Sequence, residues 1–152
     1  MADNNNITQD TPVGGEPEVN TQPQAGMLAQ YVKDFSFENP NAPASLQARP
    51  GNSPKIDVSI NVGVRQAQND VFEVELKIKT TGTVADQNNN DMVAFVAELN
   101  YAGLFGVRNL TEDSVKAFLL VSAPTLMFPY ARRVISDATR DGGFPPLMLE
   151  PI

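Results

Sequence analysis

Residues Val71-Phe-Glu-Val-Glu-Leu-Lys-Ile-Lys-Thr80 alternate without a break. Phe72, Val74, Leu76 and Ile78 share one face, and Glu73, Glu75, Lys77 and Lys79 share the other. Side chains on a strand point alternately to the two faces of a sheet, so a period of two means one apolar and one solvated face. Strands buried on both faces of a parallel sheet read as continuous apolar runs, so this alternation points to an antiparallel sheet open to water on one side. Glu73 and Glu75 lie two apart, as a catalytic carboxylate pair could. With Lys77 and Lys79 beside them they read as a solvated strand face.

Three further stretches carry the same period. Ile56 to Val64 sets Ile56, Val58, Ile60, Val62 and Val64 against Asp57, Ser59, Asn61 and Gly63. Met92 to Ala102 sets Val93, Phe95, Ala97, Leu99 and Tyr101 against Met92, Ala94, Val96, Glu98 and Asn100. Gln30 to Glu38 sets Tyr31, Phe35 and Phe37 against Val32, Asp34, Ser36 and Glu38. A short hairpin link is expected at Gln66 to Asn69. A longer one is expected at Gly82 to Asp91, where Asn88, Asn89 and Asn90 suit turns. Asn39 to Lys55 holds Pro40, Pro43, Pro50 and Pro54 and reads as an extended, irregular loop.

The remainder is helical. Asn109 or Thr111 can cap a helix whose first turn holds Glu112 and Asp113. Pro124 is expected to interrupt it. A second helix runs through Tyr130, Val134, Ile135 and Ala138 to Gly142 and Gly143, with Pro129 kinking it or marking its start. The fold class is therefore α+β: a four-stranded antiparallel sheet with helices packed on one face. Residues 1–27 have four acids, no Lys or Arg and no aromatic, and read as a disordered acidic tail. The folded domain is 28–152.

Composition narrows the chemistry. The chain has no Cys and no His, which removes thiolate sites, cysteine nucleophiles and the commonest general base and metal ligand. No GxSxG, P-loop or GxGxxG occurs. The expectation is a binding protein and not an enzyme, with no catalytic residue, metal or cofactor. The formal net charge of −7 disfavours nucleic acid and anionic membranes and favours a basic partner. No apolar run approaches the ~20 residues of a membrane span, so no direct membrane insertion is expected. The N-terminus lacks the features of a signal peptide, which suggests a cytoplasmic protein.

The polar face is not uniformly charged. Asp34, Glu38 and Glu98 share it with Val96, Met92 and Ala94. Apolar groups rimmed by charge suit a docking face as well as a plain surface. Leu126 to Tyr130, Leu46 and Leu147 to Leu149 offer more apolar surface than one stripe needs, which suits core or self-association.

Three segments, in order, closely resemble the SecB family of bacterial protein-export chaperones. They are Tyr31-Val-Lys-Asp-Phe-Ser-Phe-Glu-Asn-Pro-Asn-Ala-Pro43; Gly103-Leu-Phe105; and Leu126-Met-Phe-Pro-Tyr-Ala-Arg132 with Arg140-Asp-Gly-Gly-Phe-Pro145 and Leu147-Met-Leu149. The resemblance implies an ATP-independent chaperone that holds unfolded secretory precursors and delivers them to the SecA motor ATPase. It implies a homotetramer, a dimer of dimers. Asp34, Glu38, Val96 and Glu98 match the family's SecA contact. Ile56, Val58 and Ile60 match its client groove, with Leu46, Leu126, Phe128 and Phe144 further candidates. A related possibility is a SecB-like chaperone dedicated to one client, such as the antitoxin of a toxin–antitoxin system. The Trp that the family often carries in its long loop is absent, and the family usually continues past the Leu147 region into another helix.

Overall fold

The computed structural model describes residues 21–47 and 53–152. Four strands, β1 (Gln24–Glu38), β2 (Lys55–Gln68), β3 (Val71–Ala85) and β4 (Asp91–Arg108), form one sheet in the order β1-β4-β3-β2. Every neighbouring pair is antiparallel. The expected acidic tail of 1–27 needs a correction at its inner end, because Gln24 to Met27 already pair with β4. Residues 1–20 lie outside the described residues.

The turns follow local chemistry. Only Asn69 and Asp70 lie between β2 and β3, and Asp70 takes φ 60°, a conformation that Asp tolerates. Between β3 and β4, Asp86 Oδ1 accepts the N–H groups of Asn88 and Asn90, both at 2.8 Å, an Asx turn built from the Asn run. The long β1–β2 connection is not wholly irregular. Ala44–Leu46 form a 3-10 turn, and Asn39 Nδ2 donates to the Gly142 carbonyl at 2.9 Å, which ties the loop to the end of the helix.

The two expected helices are one. α1 (Glu112–Ala117) passes through a π-helical stretch, Phe118–Ser122, into α2 (Ala123–Asp141). Thr111 is the cap, accepting the Ser114 N–H at 3.2 Å. Asn109 instead donates to the Gln22 carbonyl at 3.0 Å. Pro124 does not interrupt the helix, because the turn before it is already widened: the Ala123 N–H reaches back to the Phe118 carbonyl. The proline, which has no N–H to place, falls in the first turn of the next α-helical segment. Pro129 lies inside α2, which continues past it.

Leu119, Ala123, Met127, Ala131 and Ile135 form the buried stripe of this helix and pack on Val74, Leu76, Ile78, Leu99 and Phe105 of the sheet. By length and mean hydropathy, Glu112–Asp141 could cross a bilayer. A third of its apolar window is buried within the fold. A second cluster stacks Phe37 on Phe95 at 5.9 Å and Phe95 on Phe144 at 5.2 Å. Gly82 lies flat beneath this stack; a Cβ there would sit 2.5 Å from the Phe95 ring. Met92 packs on this cluster and Ala94 is fully buried in it, so neither belongs to the outer polar face where alternation put them. A register shift at Gly82/Thr83 in the β3–β4 pairing resets the phase.

Candidate functional site

The face of the sheet away from the helix is the first candidate surface. Strand register brings the four expected docking residues together on it. Glu38 lies opposite Val96, Ser36 opposite Glu98, and Asp34 opposite Asn100. Directly opposed residues share a face. Asp34, Glu38 and Glu98 are exposed and Val96 is half-buried among them. Lys79 Nζ lies 3.4 Å from Glu98. A shallow depression of about 420 Å³ runs beside them, lined by Asp34, Ser59, Asn61, Lys77, Lys79 and Glu98 among others.

This arrangement depends on a bulge in β1. Tyr31 pairs with Ala102 on the outer face, whereas Phe35 pairs with Leu99 on the helix face. Two odd-numbered residues cannot face opposite ways on a regular strand. The shift between Val32 and Asp34 resolves the conflict, with Lys33 as the extra residue. Tyr31 is therefore not on the face of Phe35 and Phe37, as simple alternation had it. Val32, in turn, pairs with Tyr101 on the helix face.

Glu73 is likewise not a solvated strand residue: it is 4% exposed. The Tyr31 hydroxyl donates to its carboxylate, Lys33 Nζ approaches it at 2.8 Å and Arg65 Nη2 at 3.1 Å. Lys33 also reaches Glu75 at 2.5 Å, and Asn100 Nδ2 donates to Glu75 at 3.1 Å. Ala102, fully buried, is the cross-strand partner of both Tyr31 and Glu75. The hydrogen bond from Lys33, then that from Tyr31, hold the Glu73 carboxyl down to about 2 from its ordinary 4.5, against the opposing effect of burial. Glu75 is lowered chiefly by Lys33 as well, and Lys33 is raised by both carboxylates. The Tyr31 hydroxyl is raised, first by its bond to Glu73.

A pH dependence follows. A carboxyl whose folded pKa lies below its unfolded one stabilises fully above the unfolded value and loses that contribution as pH falls toward the folded one. Melting temperature should therefore decline between about pH 5 and pH 2, and Glu73→Gln should flatten this decline while lowering the plateau above it. Thermal melts of both proteins across that range check it.

The second candidate surface lies on the helix side. The helix covers β3 and β4 but leaves the edge strand β2 open. Ile56, Val58, Val62 and Val64 remain 37–40% exposed on that face, with Ile60 partly packed on the core. At its end, Ile56, Phe95, Phe144, Pro145 and Leu147 line a cleft of about 210 Å³ with Ser53 and Pro54. Of the expected client-groove residues, Ile56, Val58 and Ile60 thus form one continuous strip, and Phe144 joins Ile56 in the cleft. Leu46 is 39% exposed and lies against Gly143, near this end. Leu126 is 49% exposed on the helix but lines none of the cleft. Phe128 is corrected to a core residue, 2% exposed, with the Arg132 guanidinium 5.9 Å from its ring centre. Sequence reasoning missed the Tyr31–Lys33–Glu73 network. The signal available was Lys33, a charge set between Tyr31 and Phe35 on a nominally apolar face.

Among solved structures, the chain is similar to a SecB-like chaperone of Mycobacterium tuberculosis, solved in complex with a peptide from an antitoxin. The TM-score is 0.66 at 19% identity, covering 84% of this chain and 90% of that one. The fold is thus of the SecB-like class: a four-stranded antiparallel sheet backed by a long helix. The sequence matches the family described as preprotein translocase subunit SecB over residues 18–152. It is 52% identical over 143 residues to the protein-export protein SecB of Rhizorhabdus wittichii, covering 94% of this chain and 80% of that protein. It is 53% identical over 131 residues to that of Maricaulis maris, covering 86% and 72%. The chain belongs to the SecB family.

Proposed function

We propose that this chain is an ATP-independent export chaperone that holds unfolded precursors and passes them to SecA. The observation that carries the reading is the uncovered apolar strip of β2, Ile56 to Val64, running into the cleft at Phe144. Apolar burial yields about 25 cal/mol per Å² and has no directional requirement, so such a strip holds many sequences without reading any of them. A folded protein has buried the segments that would fill it; an unfolded one presents them. Membership of a family whose relatives are named for protein export supports the same reading. In a cytoplasmic homotetramer, several strips would act on one long client and gain avidity through effective concentration.

The outer face, with Asp34, Glu38, Val96 and Glu98, is the proposed SecA contact. Its acidic character steers a basic partner, and Val96 supplies an apolar centre. Clients and motor then occupy opposite sides of the sheet.

The test is a titration with one precursor in two states and without nucleotide. The reduced, unfolded form should bind and the same protein folded should not. Equal affinity for both would sink the proposal, and a pulldown dominated by one client would favour a dedicated chaperone.

A further inference from the structure

Asp34 and Glu38 have no ion pair among the described residues. For Asp34 this calls for a cause. The bulge places Lys33, with a side chain 39% exposed, directly beside it in sequence and on the same outer face. A lysine with that much freedom would ordinarily sample its acidic neighbour. Here it is committed elsewhere: its ammonium lies 2.8 Å from Glu73 and 2.5 Å from Glu75. Asn100, the cross-strand partner of Asp34, is drawn off as well, since its amide donates to Glu75 at 3.1 Å.

We propose that Glu73 and Glu75 form a cation trap that holds Lys33 away from Asp34 and leaves that docking carboxylate unpaired for a basic partner surface. The idea rests on the docking reading above and assigns Glu73 and Glu75 as positioning residues that act through Lys33. Burial makes the trap selective. Glu73 is almost wholly enclosed, so taking Lys33 from the carboxylate it shares with Tyr31 and Arg65 would cost more than leaving the exposed Asp34 unpaired. The lysine therefore settles on the enclosed carboxylate. The partner's cations then meet at Asp34 an acid that is not already neutralised, and no pair of Asp34 has to break on docking.

The test is a double-mutant cycle read as affinity for SecA at low salt, using Glu73→Gln, Lys33→Met and the two together. Glu73→Gln leaves Lys33 held by Glu75 alone, so that the lysine is shared with Asp34; docking should weaken about threefold at low salt, with the loss shrinking as salt rises. Removing Lys33 in the same chain should restore the affinity of Lys33→Met alone. A double variant as weak as Glu73→Gln would overturn the proposal, because a merely structural role of Glu73 is not rescued by deleting its cation.

A second readout does not involve SecA. The Asp34 side-chain carboxyl carbon signal should shift in Glu73→Gln and return in the double variant; an unmoved signal overturns the trap. If Glu73→Gln does not fold, Glu75→Gln, at a position with a side chain 19% exposed, removes the other half of the trap and loosens the same lysine. The two ideas fail separately. Should Glu98→Lys leave SecA affinity intact, the docking reading falls, while the Asp34 signal still decides the trap.

Discussion

Asp34→Lys combined with Glu98→Lys should reduce SecA affinity about a hundredfold at low salt, each reversal contributing roughly one factor of ten. Both side chains are exposed, so folding should change by only about 0.5 kcal/mol, as for surface substitutions in general. Glu98 has a further reason for a large response. Lys79 lies 3.4 Å from its carboxylate, and reversal sets two ammonium groups together at the point where a basic partner would arrive. Affinity for an unfolded precursor should stay unchanged, because the β2 strip is on the other side of the sheet. Raising the salt should narrow the gap between variant and parent, since exposed charges are screened. A variant that keeps its SecA affinity at low salt would remove this face from consideration.

Phe95→Ala should have the largest effect on the fold. Its ring is 2% exposed, lies between Phe37 and Phe144 and covers Gly82. Truncating a core Phe costs about 3–5 kcal/mol, through lost transfer energy and the cavity left behind. In a domain of this size that corresponds to a fall in Tm of about 10 °C or more. The functional consequence is local. Phe95 also lines the cleft at the end of the β2 strip, so client affinity should fall even at temperatures where the variant stays folded. Phe95→Leu, which keeps most of the volume, should recover most of the stability; thermal melts and a client titration on both variants check it. A melting temperature unmoved by Phe95→Ala would mean that the stack contributes no packing.

The outer face was legible in the sequence to the extent that alternation held. β3 kept its phase from Phe72 to Thr80, and the expected faces of that stretch hold except that Glu73 is buried. The same parity placed Asp34, Glu38, Val96 and Glu98 together. Parity failed wherever a strand carried an extra residue. Lys33 reverses the phase of β1, so Tyr31 and Val32 exchange faces, and the irregularity at Gly82/Thr83 moves Met92 inward. A period of two cannot register an inserted residue except as one charge out of place. Pro124 misled for a related reason: a proline strains a helix of regular pitch, but not where the preceding turn is π-wide and the proline opens the next α-helical segment. The burial of Phe128 could not be told from that of Leu126 by composition. Both are apolar, and only the path of the helix over the sheet separates them.

The π stretch divides the helix energetically as well as geometrically. α1 has no fully buried residue, Leu120 and Val121 are exposed, and the sustained contact with the sheet begins at Leu119 and runs through α2. Opening the first turns therefore disturbs little of the core, while opening α2 exposes most of it. Local unfolding free energies follow such differences in buried contact. Glu112 to Ala117 should behave as a separate, low-stability foldon, able to fray and re-form while the remainder stays closed.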